Sequence, residues 1–146
     1  MIDIKNYYKT LCTAQIHLKK ASLNSAFNRF ELSFYEAALK ADPDNITALA
    51  IIGHSYTKLK MHDKAVLIDL KLASILPDDP TVTYNLACSY ANLEDIESAF
   101  DALGRAVELG YSDATHMMKD PDLENLRNDP RFQAIIAKIR NGQKPS

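Results

Sequence analysis

Tyr84 to Gly110 reads YNLACSYANLEDIESAFDALGRAVELG. Apolar and small side chains recur at Leu86, Ala87 and Tyr90 and, after a break at Asn92 to Asp95, at Ala99 and Ala106. Steps of three and four residues put each set on one side of a helix, so the stretch predicts a helix, a short turn and a second helix. Ala87 and Ala99 have a steric role: two antiparallel helices approach closely only where neither carries a large side chain, and Tyr90 fills the space beside them.

The pattern repeats. A shift of 34 residues superposes Ile52 on Leu86, Gly53 on Ala87, Tyr56 on Tyr90 and Ala65 on Ala99. In the earlier copy the apolar positions continue through Leu49, Ile68, Leu72 and Leu76. The same shift places Pro43 under Pro77, each followed by Asp, and Ala38 under Leu72. Proline lacks a backbone donor and disfavours helix at the residue before it, so these two mark the passage between units.

A 34-residue helix-turn-helix with apolar, small, aromatic, small and proline positions in this order resembles the tetratricopeptide repeat. The resemblance implies an all-α fold, a right-handed superhelical array of antiparallel helix pairs with about three units and a C-terminal capping helix. Residues 1–146 are then one domain: a degenerate repeat over 1–45, repeats over 46–79 and 80–112, and a capping extension over 113–146. Three positions depart from the pattern. Asp69 stands where a large apolar residue is expected, Thr83 replaces another, and Tyr111 occupies the last proline position.

Fixed spacing would put Gln15, Lys19 and Ser22 in the core of the first unit, which is physically implausible; an insertion of about one turn repairs the register. Ile4, Tyr8, Leu11, Ala14 and Leu18 then form one stripe, and Phe27, Phe30, Phe34 and Ala38 its partner on a helix ending near Pro43. Beyond Gly110, Asp120-Pro121 and Asp129-Pro130 each read as an N-cap followed by Pro at the first helical position. The last helix is expected to turn Phe132, Ile135, Ile136 and Ile139 toward the array and Arg131, Lys138 and Arg140 toward water, closing an end that would otherwise expose core. This tail also resembles the extension that follows the last repeat in many bacterial proteins of this class.

The bulk properties fit one globular unit: 47% hydrophobic and 25% charged residues, with 4 Gly and 6 Pro. Net charge is −2, but residues 42–110 carry 5 basic and 11 acidic groups, an acidic middle that repels phosphate. Neither nucleic acid nor membrane is expected as a partner. Cys12 and Cys88 lie far apart and outside any CxxC pattern, so both read as reduced thiols. No basic leader with an apolar core and no run of about 18 apolar residues occurs, and the expected location is cytoplasmic. His17, His54, His62 and His116 are scattered and the glycines isolated, so no metal site, phosphate loop, cofactor or catalytic set is expected, and the chain does not read as an enzyme.

By the repeat register the first helix of each unit lines a concave face. The candidate partner-binding groove is Thr47, Ala50, His54, Thr57 and Lys58 in one unit and Thr81, Tyr84, Asn85, Cys88 and Asn92 in the next, a mixture of apolar area, donors and acceptors suited to a peptide or partner helix. Some proteins with this repeat clamp the carboxylate end of chaperone tails with Lys, Asn and Arg. The matching positions here are Ile16 and Lys20, or Cys12 and Ile16 in the shifted register, with Ile51, Thr81 and Asn85, so the clamp is absent and no tight binding of an acidic chaperone terminus is expected. The alternative expectation is a homo-oligomer formed through an apolar N-terminal surface around Tyr7, Tyr8, Phe27, Phe30 and Phe34.

Overall fold

The computed structural model describes residues 26–142. Helix α1 covers 26–41, α2 Ile46–Lys58, α3 His62–Ile75, α4 Pro80–Asn92, α5 Ile96–Glu108 and α6 Ala114–Lys119. A 3-10 turn at Pro121–Leu126 leads to α7, Pro130–Gly142. The fold is all-α: α2 pairs with α3 and α4 with α5, while α3 packs on α4 and joins the two pairs. The tail closes back on the second pair, the 3-10 turn against α4 and α7 against α5.

Local chemistry sets the boundaries. Orphan amides at the helix starts are taken up by side-chain oxygens, Asn45 accepting from Ala48 N, Asp79 from Thr81 N and Val82 N, and Asp95 from Ser98 N. The first helix of each pair ends in a left-handed residue, Lys60 at φ 56° and Glu94 at φ 64°. At each, the following amide reaches back five residues, Met61 N to Tyr56 O at 2.9 Å and Asp95 N to Tyr90 O at 3.0 Å. Gly110, at φ 107°, makes the same turn after α5 without steric cost. These repeat-related turns make each pair a tight hairpin.

Two clusters hold the array. Ile52, Tyr56 and Ala65 form one, with Leu32, Tyr35 and Leu39 of α1 packed against it; the Tyr56 hydroxyl donates to Glu36 Oε1 at 2.8 Å. The larger joins Ala87, Ala91, Ala99, Leu103 and Ala106 to the tail residues Met117, Leu123, Leu126, Phe132, Ile136 and Ile139. Alanines line the contact between α4 and α5, as the small positions of the repeat require. Ile135 is partly buried against the same cluster, while Arg131, Lys138 and Arg140 are exposed.

Helix α1 meets its neighbours through Leu32, Tyr35 and Leu39, so Phe27, Phe30 and Phe34, on the other side, are 58–67% exposed. The stripe expected opposite them, Ile4 to Leu18, lies outside the described residues.

Candidate functional site

Residues of α2 and α4, with others from α3 and the tail, border a cleft of about 220 Å³. Ala50, His54 and Thr57 face it from α2, and Tyr84, Asn85 and Cys88 from α4. Six of the ten residues expected in the groove therefore meet in one place. The other four stand apart. Lys58 borders a neighbouring hollow of about 330 Å³ with Asn28 and Glu31, and Asn92 borders a shallower one with Pro121 and Asn125. Thr47 and Thr81 are exposed and line none of these three.

The six are not equivalent. His54 and Asn85 are exposed, whereas Tyr84 and Cys88 are buried and form wall, not displayed surface. Burial comes from the tail. Tyr111 stacks on Tyr84 with ring centroids 4.2 Å apart and planes within 3°. The Tyr84 hydroxyl donates to Asp120 Oδ2 at 2.7 Å, and His116 Nε2 lies 3.4 Å from the same oxygen. Asp120 also caps the 3-10 turn through Oδ1, accepting from Asp122 N at 3.0 Å. One carboxylate thus fixes both the end of the array and the cleft wall.

The floor is Asp69, the residue that departs from the repeat pattern. It is 8% exposed. Gly53 leaves room for it, since a Cβ there would come within 3.0 Å of Asp69 Oδ1. Its Oδ2 accepts from the Ser89 hydroxyl at 2.5 Å, linking α3 to α4. Burial pushes the Asp69 carboxyl above its ordinary value, and the Ser89 bond partly offsets this. A carboxyl raised in the folded state contributes stability that is complete below its unfolded pKa and is lost as pH rises through the folded one. Asp69→Asn, which removes the charge, is therefore expected to melt close to the wild type at about pH 3.5 and above it at about pH 8. Equal melting temperatures at both would mean that the buried charge has no cost.

Neighbouring groups do not make a catalytic set. Burial, followed by the charges of Asp120 and Asp122, pushes the Cys88 thiol up, a bond with the Tyr84 hydroxyl partly offsets this, and the sulfur lies 3.8 Å from Asp120 Oδ2. A thiol beside a carboxylate is not activated as a nucleophile. In a Cys12→Ser background at about pH 8, a thiol-reactive dye should label Cys88 at least about ten-fold more slowly in native protein than in urea; equal rates would contradict this burial. Among the described residues no group of three or more His, Cys, Asp or Glu could hold a metal ion, and no helix is long and apolar enough to cross a membrane.

Ile46, Leu72, Val82, Ser89, His116 and Asp122 also line the cleft, and sequence reasoning did not select them. Ser89 sits one position from Cys88 on α4, so a wider helical face would have included it. His116 and Asp122 arrive through tail folding and carry no local signal.

Comparison with known proteins supports the repeat. A family model described as tetratricopeptide repeat matches residues 81–109. A chloroplastic protein from Arabidopsis thaliana is 33% identical over 72 residues, which is 45% of this chain and 22% of that protein. The chain thus spans less than a quarter of that relative. Among solved structures, MamA 41-end from Desulfovibrio magneticus RS-1 superposes with a TM-score of 0.64 at 19% identity, covering 84% of this chain and 72% of its own. A crystal structure of MamA gives 0.64 at 20% identity over 98% and 76%. At that identity the likeness is one of fold.

Proposed function

We propose that this chain, whose residues 81–109 match the tetratricopeptide repeat and whose fold is that of helical-repeat proteins, works by binding a segment of another protein in the cleft bordered by α2 and α4. The observation that carries this reading is the convergence of Ala50, His54 and Asn85 on one cleft walled by Tyr84, which Tyr111 holds by stacking on it. The exposed donors and acceptors of His54 and Asn85 lie beside the apolar side chains of the same cleft, a mixture suited to an extended peptide or one face of a partner helix. Among the described residues the cleft offers no activated nucleophile, and the reading is non-enzymatic.

The test uses the full chain as bait for a displayed library of random dodecapeptides. Enriched peptides are synthesised and their affinity measured by fluorescence anisotropy. Ala50→Trp, which fills the cleft from an exposed helix position, should weaken binding at least about ten-fold while the helical circular dichroism is retained. Peptides that bind the variant equally would move the interaction to another face, and the failure of any peptide to enrich on the wild type over the variant would count against the cleft.

A second reading is self-association, favoured by the exposure of Phe27, Phe30 and Phe34 on one side of α1. Light scattering that gives the monomer mass at every concentration would exclude it, and a mass rising toward that of a dimer and lost in Phe30→Glu would support it.

A further inference from the structure

We infer that the cleft receives a cationic side chain, lysine or arginine, from the bound segment; this rests on the reading of the cleft as the binding site. Carboxylates from three places in the chain line it, Asp69 on α3, Asp120 at the end of α6 and Asp122 in the 3-10 turn, and among the described residues no Lys or Arg does. Asp120 is already engaged, with Tyr84 and His116 on one oxygen and the Asp122 amide on the other. Asp69 is not. Its Oδ2 accepts from Ser89, while its Oδ1 accepts no hydrogen bond among the described residues and stands beside the bare Cα of Gly53.

A carboxylate nine-tenths buried with a single neutral donor is an expensive feature for a core to keep. A structural peg between α3 and α4 does not need it, because an amide or hydroxyl at position 69 would also bond Ser89. What the carboxylate adds is charge at the bottom of an open cleft. An ammonium or guanidinium entering the cleft donates to Oδ1 and offsets the carboxylate charge in surroundings that screen it weakly. Size and walls agree. The cleft is smaller than the about 300–1,000 Å³ of small-molecule pockets, and the aliphatic groups of Ile46, Leu72 and Val82 offer a lining for the methylene stem of one long side chain.

The probes are Nα-acetyl-lysine methylamide, Nα-acetyl-arginine methylamide and the uncharged Nα-acetyl-norleucine methylamide, titrated into nitrogen-15-labelled full chain and followed by NMR. The cationic probes should shift the amides of Gly53, Asn85 and Ser89 and bind about ten-fold more tightly than norleucine. Asp69→Asn should erase that preference while the rest of the spectrum stays dispersed. Asp122→Asn, on the partly exposed rim, should reduce it and covers the case in which the buried substitution fails to fold. Norleucine binding the same amides as tightly as lysine would overturn the cationic inference and leave the cleft as the binding site. Cationic probes that shift only amides elsewhere would overturn the inference, and dodecapeptides indifferent to Ala50→Trp would overturn the reading beneath it.

Discussion

Phe132→Ala is expected to destabilise the chain by about 3–5 kcal/mol, the usual cost of emptying a buried aromatic site. Phe132 is 1% exposed in a cluster that joins Leu103 of α5 to Leu123, Leu126 and Met117 of the tail. The tail is therefore part of the core, and loosening α7 would expose the last helix pair. The neighbouring Arg131 is a useful control. It pairs with Asp129 at 2.8 Å and Glu97 at 2.9 Å and lies over the Phe100 ring at 4.1 Å, but at the surface, where water and salt screen its charges. Arg131→Ala should therefore shift the unfolding midpoint far less than Phe132→Ala. Urea unfolding of the two variants measures the contrast; similar losses would mean that the tail is held by its charges and not by its apolar face.

Gly53→Leu is expected to cost about 1–3 kcal/mol by overpacking, and to obstruct the cleft as well. A Cβ at this position meets Asp69 Oδ1 at 3.0 Å and Ile68 Cγ2 at 3.3 Å, before any larger side chain is added. Gly53→Ala is a finer probe. Its tight contact is opposed by the roughly 1 kcal/mol that alanine contributes over glycine inside a helix, so its net effect should be small. Thermal melts of both variants, with peptide affinity measured alongside, separate the two effects. A leucine variant as stable as the wild type would mean that α2 and α3 are spaced more widely than the Asp69 geometry requires.

Much of the fold was legible because the repeat makes its demands twice. Gly53 and Ala87 are small for the same reason, Lys60 and Glu94 take the same left-handed turn, and Lys71–Asp44 recurs as Arg105–Asp78. Helix α6 escaped because six residues are too short for a period to show, although Asp113 caps it by accepting from His116 N. On α1 the sequence reading singled out the phenylalanines as partners of the Ile4 to Leu18 stripe, which lies outside the described residues, and did not select Leu32, Tyr35 and Leu39, which make the contact with the next pair.

The cleft was legible only in outline. Register placed Ala50, His54, Thr57 and Asn85 on it, since they follow from helix geometry alone. Tyr84 and Cys88 line the same cleft, but their burial involves Tyr111 and Asp120, the latter 36 residues from Tyr84 along the chain, and no local pattern announces such a contact. Asp69 was visible as a misfit to the repeat. Its meaning needed the structure, which sets Gly53 on one side of it and Ser89 on the other.

The most direct measurement is hydrogen–deuterium exchange of the full chain with and without a selected dodecapeptide. Slower exchange in α2, α4 and the Pro121–Leu126 turn, with α1 and α5 unchanged, is the predicted result, since α2, α4 and that turn border the cleft while α1 and α5 do not. Protection confined to α1, or to α3 and α5 with α2 and α4 unchanged, would contradict binding in the cleft.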